Sequence, residues 1–425
     1  MSKLDELIAE LCPNGVEYKS LGEIATIARG GNFQKKDFCD RGVPCIHYGQ
    51  IYTKYGLFTD KTITFITEER AKKQKFAKTN DIIMAVTSEN IEDVCKCLAW
   101  LGNEDVAVSG HSAIISHNQN PKYLVYYFHS QMFFTQKRKL AHGTKVIEVT
   151  PDTLKSIKLP VPPLEVQREI VHILDSFTLL TAELTAELTA RKKQYEFYRD
   201  NLIKKEQHIS EVKKLADVAN IYDSLHQTPS YSNSGYSMVR VQDIKGGYLD
   251  EDKTLKVDES VWNLFTQKYT PRLNDIVVSR VGSYGNFALI PNDKCCLGQN
   301  VALIHPNINP KYLYHVLMST MTKQWINNNV KGASQKSFSL ADIKRVPVPV
   351  PKENIQQRIA EVLDNFEAIC TDLNIGLPAE IEARQKQYEY YRDLLLTFAE
   401  TGSTLMTDRQ TDRQTDRQTD RQTDR

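Results

Sequence analysis

The sequence predicts an α+β fold, in which two similar mixed α/β lobes are separated by two long helices that pair as an antiparallel coiled coil within the chain. The first observation is an internal duplication: QREIVHILDSF (residues 167–177) returns as QQRIAEVLDNF (356–366), and RKKQYEFYRD (191–200) returns as RQKQYEYYRD (384–393). The second is a heptad seam in both copies. The third is the length of 425 residues, which exceeds what one hydrophobic core usually supports.

The duplication continues into the lobes. The matching pairs are KSLGEIA from Lys19 with KKLADVA from Lys213, DIIMAV from Asp81 with DIVVSR from Asp275, and NPKYL at both Asn120 and Asn309. Each half is therefore one lobe followed by one helix, and we expect a pseudo-twofold axis. The predicted boundaries are a first lobe at 1–160, a helical spacer at 161–205, a second lobe at 206–350, a second spacer at 351–400 and a tail at 401–425.

The helical spacers carry the heptad seam. Mostly apolar residues recur at alternating steps of four and three from Ile170 to Leu202, and again from Ile359. The second spacer is four residues longer between its motifs, and Gly376 and Pro378 predict a break there. Helices that cross a twofold axis run antiparallel, which favours pairing inside the chain, and a coiled coil that dimerises two chains is the alternative. The repeat TAELTAELTA (181–190) predicts a spacer whose length changes by about 6 Å per unit.

Composition excludes several classes of protein. The sequence has no apolar run of membrane-spanning length and an acidic, amphipathic N-terminus, so we expect a cytoplasmic protein without membrane contact. The eight cysteines form no CxxC pair, and we predict free thiols and no metal site, with Cys39, Cys45, Cys95 and Cys97 the only arguable cluster. The net charge is only +1, but the lobes are mildly basic and the spacers neutral or acidic.

The repeated motifs point to a known family. LEVQREIVHILDSF with RKKQYEFYRDNLI, IQQRIAEVLDNF with EIEARQKQYEYYRDLLL, the TAEL units, and the lobe openings GVEYKSLGEIA and VKKLADVA resemble the specificity (S) subunit of type I restriction-modification systems. This resemblance implies two target recognition domains, each reading half of a bipartite double-stranded DNA site. It also implies helices that set the gap and dock methylation (M) subunits, expected to be two, and restriction (R) subunits. S-adenosylmethionine, ATP and Mg are expected in those partners and no cofactor in this chain.

The residues favour a reader of DNA over a catalyst. The chain has no GxxxxGK[ST] phosphate-binding loop, and NPKY departs from the Asn-Pro-Pro-Tyr motif of adenine methyltransferases at its third position. A proline that opens a helix explains NPKY at both places. We therefore predict no catalytic residue. The rival interpretations are a stand-alone methyltransferase, a coiled-coil scaffold without DNA preference, and a specificity protein for a fused restriction-methylation enzyme.

Candidate DNA-binding residues lie in polar segments that follow strand-like runs. Base recognition needs Arg or Lys for guanine and Asn or Gln for adenine, with Ser, Tyr and His as supplements, and phosphates need Lys. The candidates in the first lobe are Arg29, Asn32, Gln34, Lys35, Lys36, His47, Tyr48, Gln50, Lys54, Ser88, Asn90, His111 and Lys145. Those in the second are Arg240, Gln242, Lys245, Arg280, Ser283, Tyr284, Asn286, Gln299, Asn300, Lys331 and Lys336. An ordinary polar loop is the alternative for each.

Two further features concern the spacers and the tail. The aromatic residues of the repeated motif are too dense for one seam, so some should face outward as anchors for M subunits. They are Tyr195, Phe197, Tyr198, Tyr388, Tyr390 and Tyr391. The tail repeats TDRQ up to Arg425, and we expect it to be disordered. The codons ACA GAC AGA CAG encode TDRQ and repeat the tetranucleotide ACAG three times. This period predicts a phase-variable gene in which the repeat number changes the C-terminus.

Overall fold

A computed structural model of the chain describes residues 2–244, 247, 249, 251–330, 337–372 and 375–401. The chain divides into two compact units. Unit 1 joins Met1–Glu183 to the segment that starts at Glu382, and unit 2 is Leu184–Ile381. Each unit thus contains one lobe together with parts of both helical spacers. The TDRQ tail, predicted to be disordered, lies outside the described residues.

Unit 1 alternates short strands and helices. Its helices are α1 (Lys3–Leu11), α2 (Leu21–Ile24), α3 (Tyr48–Thr53), α4 (Glu68–Ala71), α5 (Pro121–Phe128), α6 (Gln131–Leu140) and α7 (Pro151–Leu154). Its strands are β1 (Tyr18–Ser20), β2 (Ala25–Arg29), β3 (Phe38–Cys39), β4 (Val43–Ile46), β5 (Phe58–Thr59), β6 (Thr64–Ile66), β7 (Lys75–Ala77), β8 (Ile82–Ala85), β9 (Thr87–Ser88), β10 (Cys97–Trp100), β11 (Val106–Val108), β12 (Ser112–His117), β13 (Ile147–Glu148) and β14 (Lys158–Pro160).

Two five-stranded sheets form the lobe of unit 1, in the orders β2-β12-β8-β10-β5 and β3-β6-β4-β11-β7. The central strand β8 explains how they pack, because successive side chains of a strand point to opposite faces. Ile82 and Met84 enter the core shared with α5, whereas Ile83 and Ala85 enter the core shared with β4 and β11. The apolar run DIIMAV is therefore buried on both faces.

Unit 2 repeats this plan with fewer strands. Its strands are β15 (Glu211–Lys214), β16 (Ala219–Asp223), β17 (Tyr236–Val239), β18 (Leu255–Val257), β19 (Ile276–Ser279), β20 (Phe287–Leu289), β21 (Cys295–Leu297), β22 (Val301–Pro306) and β23 (Pro347–Val350). Its lobe helices are α9 (Leu215–Val218), α10 (Glu259–Thr266), α11 (Pro310–Met318), α12 (Thr320–Asn329) and α13 (Leu340–Arg345). The sheets have the orders β16-β22-β19-β20 and β18-β17-β21.

The helical spacers are α8 (Leu164–Ile209), α14 (Glu353–Thr371) and α15 (Leu377–Thr401). α8 is one continuous helix of 46 residues. The predicted break in the second spacer is confirmed, because α14 ends at Thr371 and α15 begins at Leu377. In unit 1, Phe177 of α8 stacks on Tyr391 of α15 with ring centroids 5.3 Å apart. In unit 2, Tyr198 of α8 lies 5.5 Å from Phe366 of α14. The first spacer thus pairs with the second in each unit.

The NPKY segments open helices, as predicted. Asn120 and Asn309 cap α5 and α11, with proline at the first helical position. The duplicated helical motif fixes both turns: the Asn120 N–H donates to Gln167 Oε1 at 3.0 Å, and the Asn309 N–H donates to Gln356 Oε1 at 3.1 Å. The NPKY motif and the glutamine of the helical motif therefore occur together in both halves of the chain, since they are hydrogen-bonded to each other.

Two further features of the structure concern membrane-spanning helices and cysteine thiols. Among the residues that the structure describes, no helix is both long and apolar enough to cross a membrane. The eight cysteines are free thiols, and seven of them are buried. Burial raises the pKa of Cys45 to about 11 and that of Cys95 to about 12, so these thiols stay protonated at neutral pH.

Candidate nucleic-acid interface

A cleft of about 910 Å³ opens where several strands of unit 1 end. Its floor is formed by the close approach of two loops: the Gly31 N–H donates to Val108 O at 2.7 Å. A Cβ atom on Gly30 would stand 2.2 Å from Ser109 O, and one on Gly110 would stand 2.6 Å from Gly31 O, so both contacts require glycine. The cleft brings together six of the predicted residues: Arg29, Asn32, Gln34, His47, Tyr48 and His111.

Aromatic side chains line one side of this cleft. The ring centroids of His47 and Tyr48 are 4.6 Å apart, and those of Tyr48 and His111 are 4.9 Å apart. His47 Nδ1 accepts a hydrogen bond from the Gly49 N–H at 3.2 Å. Burial, with the nearby Lys35 and His111, lowers the pKa of His47 to about 4, so its ring is neutral at pH 7. A neutral ring that accepts at Nδ1 carries its proton on Nε2.

Cationic side chains line the same cleft as the rings of His47, Tyr48 and His111. Arg29, Lys73 and Lys75 line the cleft, and Glu148 is the carboxylate among the lining residues. Arg29 is half-exposed and forms an ion pair with Glu148. Lys73 and Lys75 are exposed. The cleft therefore combines positive charge suited to phosphates with amides, imidazoles and a phenol suited to base edges.

The remaining candidates of unit 1 lie outside the set that lines the cleft. Gln50 is buried, and its amide bonds Thr64 and the His47 N–H, so it positions the neighbouring loop. Asn90 forms reciprocal hydrogen bonds with Asp93 in a turn that Ser88 also joins. The exposed lysines among these candidates are Lys35, Lys36, Lys54 and Lys145.

Unit 2 has a counterpart of His47. Arg240 follows β17 as His47 follows β4, and both strands pair in parallel, with β21 and β11 respectively. In each case the backbone N–H bonds a side chain three residues on: Gln50 Oε1 for His47 at 2.9 Å, and Asp243 Oδ2 for Arg240 at 2.9 Å. The strand end that presents a neutral imidazole in unit 1 therefore presents a guanidinium in unit 2.

The strand next to this one ends in an ion pair in both units, but the charges of the two partners are exchanged. Arg29 ends β2 in unit 1 and pairs with Glu148, whereas Asp223 ends β16 in unit 2 and pairs with Arg280. The Arg280 side-chain Nε also donates to Phe338 O at 3.4 Å, and the backbone N–H of Arg280 donates to Asn300 O at 2.8 Å. Arg280 is thus held by three partners and fixes the surrounding loops.

The other candidates of unit 2 vary in exposure. Ser283 and Gln299 are exposed, and the Gln299 amide lies 3.4 Å from Thr228 Oγ1. Asn286 bonds Ser283 O within its loop, and Tyr284 packs partly against the core. Lys245, Lys331 and Lys336 lie outside the described residues.

The helical aromatic residues separate into two groups. Phe197, Tyr198 and Tyr390 are 65%, 42% and 60% exposed, and so are available to a partner. Tyr195 and Tyr388 are buried, and Tyr391 is half-buried in its stack with Phe177. The inward residues attach the lobes, with Tyr195 bonded to His315 Nδ1 at 3.0 Å in unit 2.

Several residues that hold the lobes and the cleft in place are not predicted by the sequence pattern. Asp393 accepts from the Gln131 N–H at 3.1 Å in unit 1, and Asp200 accepts from the Thr320 N–H at 3.0 Å in unit 2, so the last residue of each YRD motif caps a lobe helix. Lys73 and Lys75 belong to a cluster of four lysines with Lys72 and Lys78, but their place in the cleft depends on the fold. The roles of Asp223 and Glu148 follow from tertiary contacts without a local signal, whereas Asp243 lies three residues after Arg240 and bonds it within one turn.

Relatives of known class match most of the chain. A family model for the type I restriction modification DNA specificity domain matches residues 13–191 and 209–383. A type I restriction enzyme specificity subunit of Escherichia coli is 36% identical over 258 residues, which are 57% of this chain and 63% of that subunit, so the match spans less than two thirds of the relative. A putative type I restriction enzyme specificity subunit of Haemophilus influenzae is 29% identical over 313 residues, 71% of this chain and 77% of that protein.

Two solved structures share the fold. The type I restriction-modification S subunit from M. genitalium aligns with a TM-score of 0.50 at 12% identity, over 90% of this chain and 97% of that one. A chain from a structure of the type I R-M system aligns with a TM-score of 0.54 at 16% identity, over 91% and 98%. Together with the family match in both halves, these findings show that the chain belongs to the type I restriction-modification DNA specificity subunits.

Proposed function

We propose that this chain binds a bipartite, asymmetric double-stranded DNA site, with one half-site read by each unit. The observation that carries the proposal is that both units place polar side chains at equivalent strand ends but use different ones. His47, which lines the cleft of unit 1, corresponds to Arg240 in unit 2. Two copies of one scaffold with different base-reading chemistry suit two different half-sites.

Positive charge supports the same proposal. The cleft of unit 1 has three cationic lining residues, Arg29, Lys73 and Lys75, with Glu148 as the carboxylate among them. Exposed lysines such as Lys73 and Lys75 can contact DNA phosphates, and such contacts supply affinity that does not depend on the base sequence. Binding should therefore weaken steeply as the salt concentration rises.

The exposed aromatic residues of the spacers are proposed to dock protein partners. Phe197, Tyr198 and Tyr390 present apolar surface on helices, and aromatic residues are favoured anchors at protein interfaces. We assign them to M subunits, expected to be two, with R subunits joining the complex. In this proposal the chain is non-catalytic and cytoplasmic, and S-adenosylmethionine, ATP and Mg act in the partner subunits.

The proposal can be tested by selection from random duplexes. The full chain, co-purified with its M subunits, is incubated with a library of duplexes at moderate salt, and the bound fraction is sequenced after several rounds. We expect two short defined sequences separated by a fixed unspecified gap. If duplexes were retained without enrichment of any sequence, the rival interpretation would be favoured, in which the chain is a coiled-coil scaffold that joins proteins and has no preference among DNA sequences. A specificity protein for a fused restriction-methylation enzyme would instead give the bipartite enrichment with that enzyme as its partner.

A further inference from the structure

Arg240 stands at the strand end that corresponds to the cleft of unit 1. It follows β17, and the loop after β21 lies beside it, because the Gly298 N–H donates to Val239 O at 2.8 Å and a Cβ on Gly298 would be 3.2 Å from Arg240 Cγ. The Arg240 side chain is 23% exposed. The backbone next to Arg240 is therefore anchored, and its side chain is partly exposed.

A carboxylate fixes one edge of the Arg240 guanidinium. Asp243 accepts from Nε at 3.0 Å and from Nη2 at 2.9 Å, and the Asp243 side chain is only 10% exposed. A bidentate contact of this kind sets the plane of the guanidinium and neutralises its charge. Nη1 and the second hydrogen of Nη2 then form a fork that points away from Asp243.

The outer fork already holds an acceptor oxygen. With the Gln242 amide oriented to satisfy its hydrogen bonds, its oxygen accepts from Arg240 Nη2 at 2.9 Å and from Nη1 at 3.0 Å. Gln242 is exposed, so it can leave this position without unpacking the core. Its oxygen stands where an acceptor of a ligand would bind the same two donors.

We propose that Arg240 reads a guanine in the half-site bound by unit 2, and that the base displaces the oxygen of Gln242 from the fork. Guanine presents O6 and N7 in the major groove, two acceptors that match the two outward donors of an arginine. Asp243 positions the arginine and does not touch the base. This inference rests on the proposed DNA-binding function and adds to it the identity of one base.

Unit 1 supplies the matched comparison. His47 occupies the equivalent position, and its ring has one N–H to donate, so it lacks the two-donor fork. The half-site read by unit 1 therefore has no arginine–guanine contact at this position. Arg29, by contrast, lies in the cleft of unit 1 and can serve as a control arginine for that unit.

The test compares enriched sequences for the wild type and the variants Arg240→Lys, Gln242→Ala and Arg29→Lys, each co-purified with M subunits. Lysine keeps the charge of Arg240 but loses the fork. We expect Arg240→Lys to lower the preference for guanine at one position by about 5- to 150-fold, the range for one bidentate contact. The other half-site should stay unchanged, and Arg29→Lys, the same change at the arginine of the unit 1 cleft, should leave this guanine preference in place.

The unit 1 half-site protects the test against a misfolded Arg240→Lys variant, because a chain that does not fold would enrich neither half-site. Gln242→Ala removes the oxygen that competes for the fork and should increase the guanine preference. The inference would be overturned if Arg240→Lys enriched the wild-type sequence unchanged, or if Arg29→Lys lowered the same guanine preference as much as Arg240→Lys. Failure of the wild type to enrich any sequence would instead contradict the proposed function itself.

Discussion

In unit 1 the lobe is attached to the helical spacers by Gln167 and Asp393, and in unit 2 the equivalent Gln356 and Asp200 make the same hydrogen bonds with distances that agree within 0.1 Å. The strand ends differ, with a neutral His47 in one unit and a guanidinium held by Asp243 in the other. Attachment to the spacers therefore uses the same residue types in both units, whereas the strand ends carry different side chains on a backbone that the sheets already fix.

The buried contact between lobe and helix also differs between units. In unit 1, Tyr126 donates to Asp175 at 2.7 Å. In unit 2, His315 takes the place of Tyr126 and lies 2.8 Å from Asp364, and its other ring nitrogen meets Tyr195. Tyr388, the unit 1 counterpart of Tyr195, has a buried hydroxyl that lacks a hydrogen-bond partner among the described residues. One repeated scaffold therefore carries a polar network in unit 2 and a less complete one in unit 1.

The largest expected effect follows removal of the shared carboxylate. Asp364→Ala leaves Nε2 of the fully buried His315 without its partner, whereas the half-exposed Lys311 can be solvated, and should cost about 3 kcal/mol in the free energy of local unfolding, the upper end for a buried group left unsatisfied. Asp175→Ala, the matched change in unit 1, leaves a neutral phenol and a partly exposed lysine and should cost about 1 kcal/mol. Hydrogen exchange of the α11 and α5 amides measures the two costs. Equal losses would show that the networks do not differ in energy.

The fold was largely predictable, because the repeats, the heptad seam and the break near Gly376 are local patterns. The cleft was predicted in part: Arg29, Asn32, Gln34, His47, Tyr48 and His111 converge because they follow neighbouring strands. Gln50 has the residue type of a reader but is buried, since α3 turns it toward Thr64. The carboxylate that holds Arg280, Asp223, is distant in the chain and depends on sheet geometry that the sequence pattern does not specify, whereas Asp243 lies only three residues after Arg240.

A smaller effect concerns pH and the neutral His47. Its pKa of about 4 lies below the ordinary value near 6.5, so the unfolded chain binds a proton that the folded chain does not. The stability that this supplies is present above pH 6.5 and is lost as the pH falls toward 4. Between pH 7 and 4.5 the wild type should lose about 2–3 kcal/mol more than His47→Gln, measured by urea unfolding. Identical losses would contradict a buried neutral imidazole.

The smallest effect separates two equivalent tyrosines. Tyr195→Phe removes a hydroxyl bonded to His315 and should cost about 1 kcal/mol, whereas Tyr388→Phe removes a buried hydroxyl without a partner among the described residues and should be neutral or stabilising. Thermal unfolding of both variants with the wild type provides the measurement. A greater loss for Tyr388→Phe than for Tyr195→Phe would reverse the assignment of the complete network to unit 2.

The central claim is that one chain reads two different half-sites with two copies of one scaffold. The most direct measurement is a map of methylated bases in DNA from cells that express this chain with its M subunits, compared with cells that lack the chain. We expect a split motif that depends on the chain, with two different defined halves around a fixed gap. A motif with two identical halves, a continuous motif, or no chain-dependent methylation while the proteins still co-purify would contradict it.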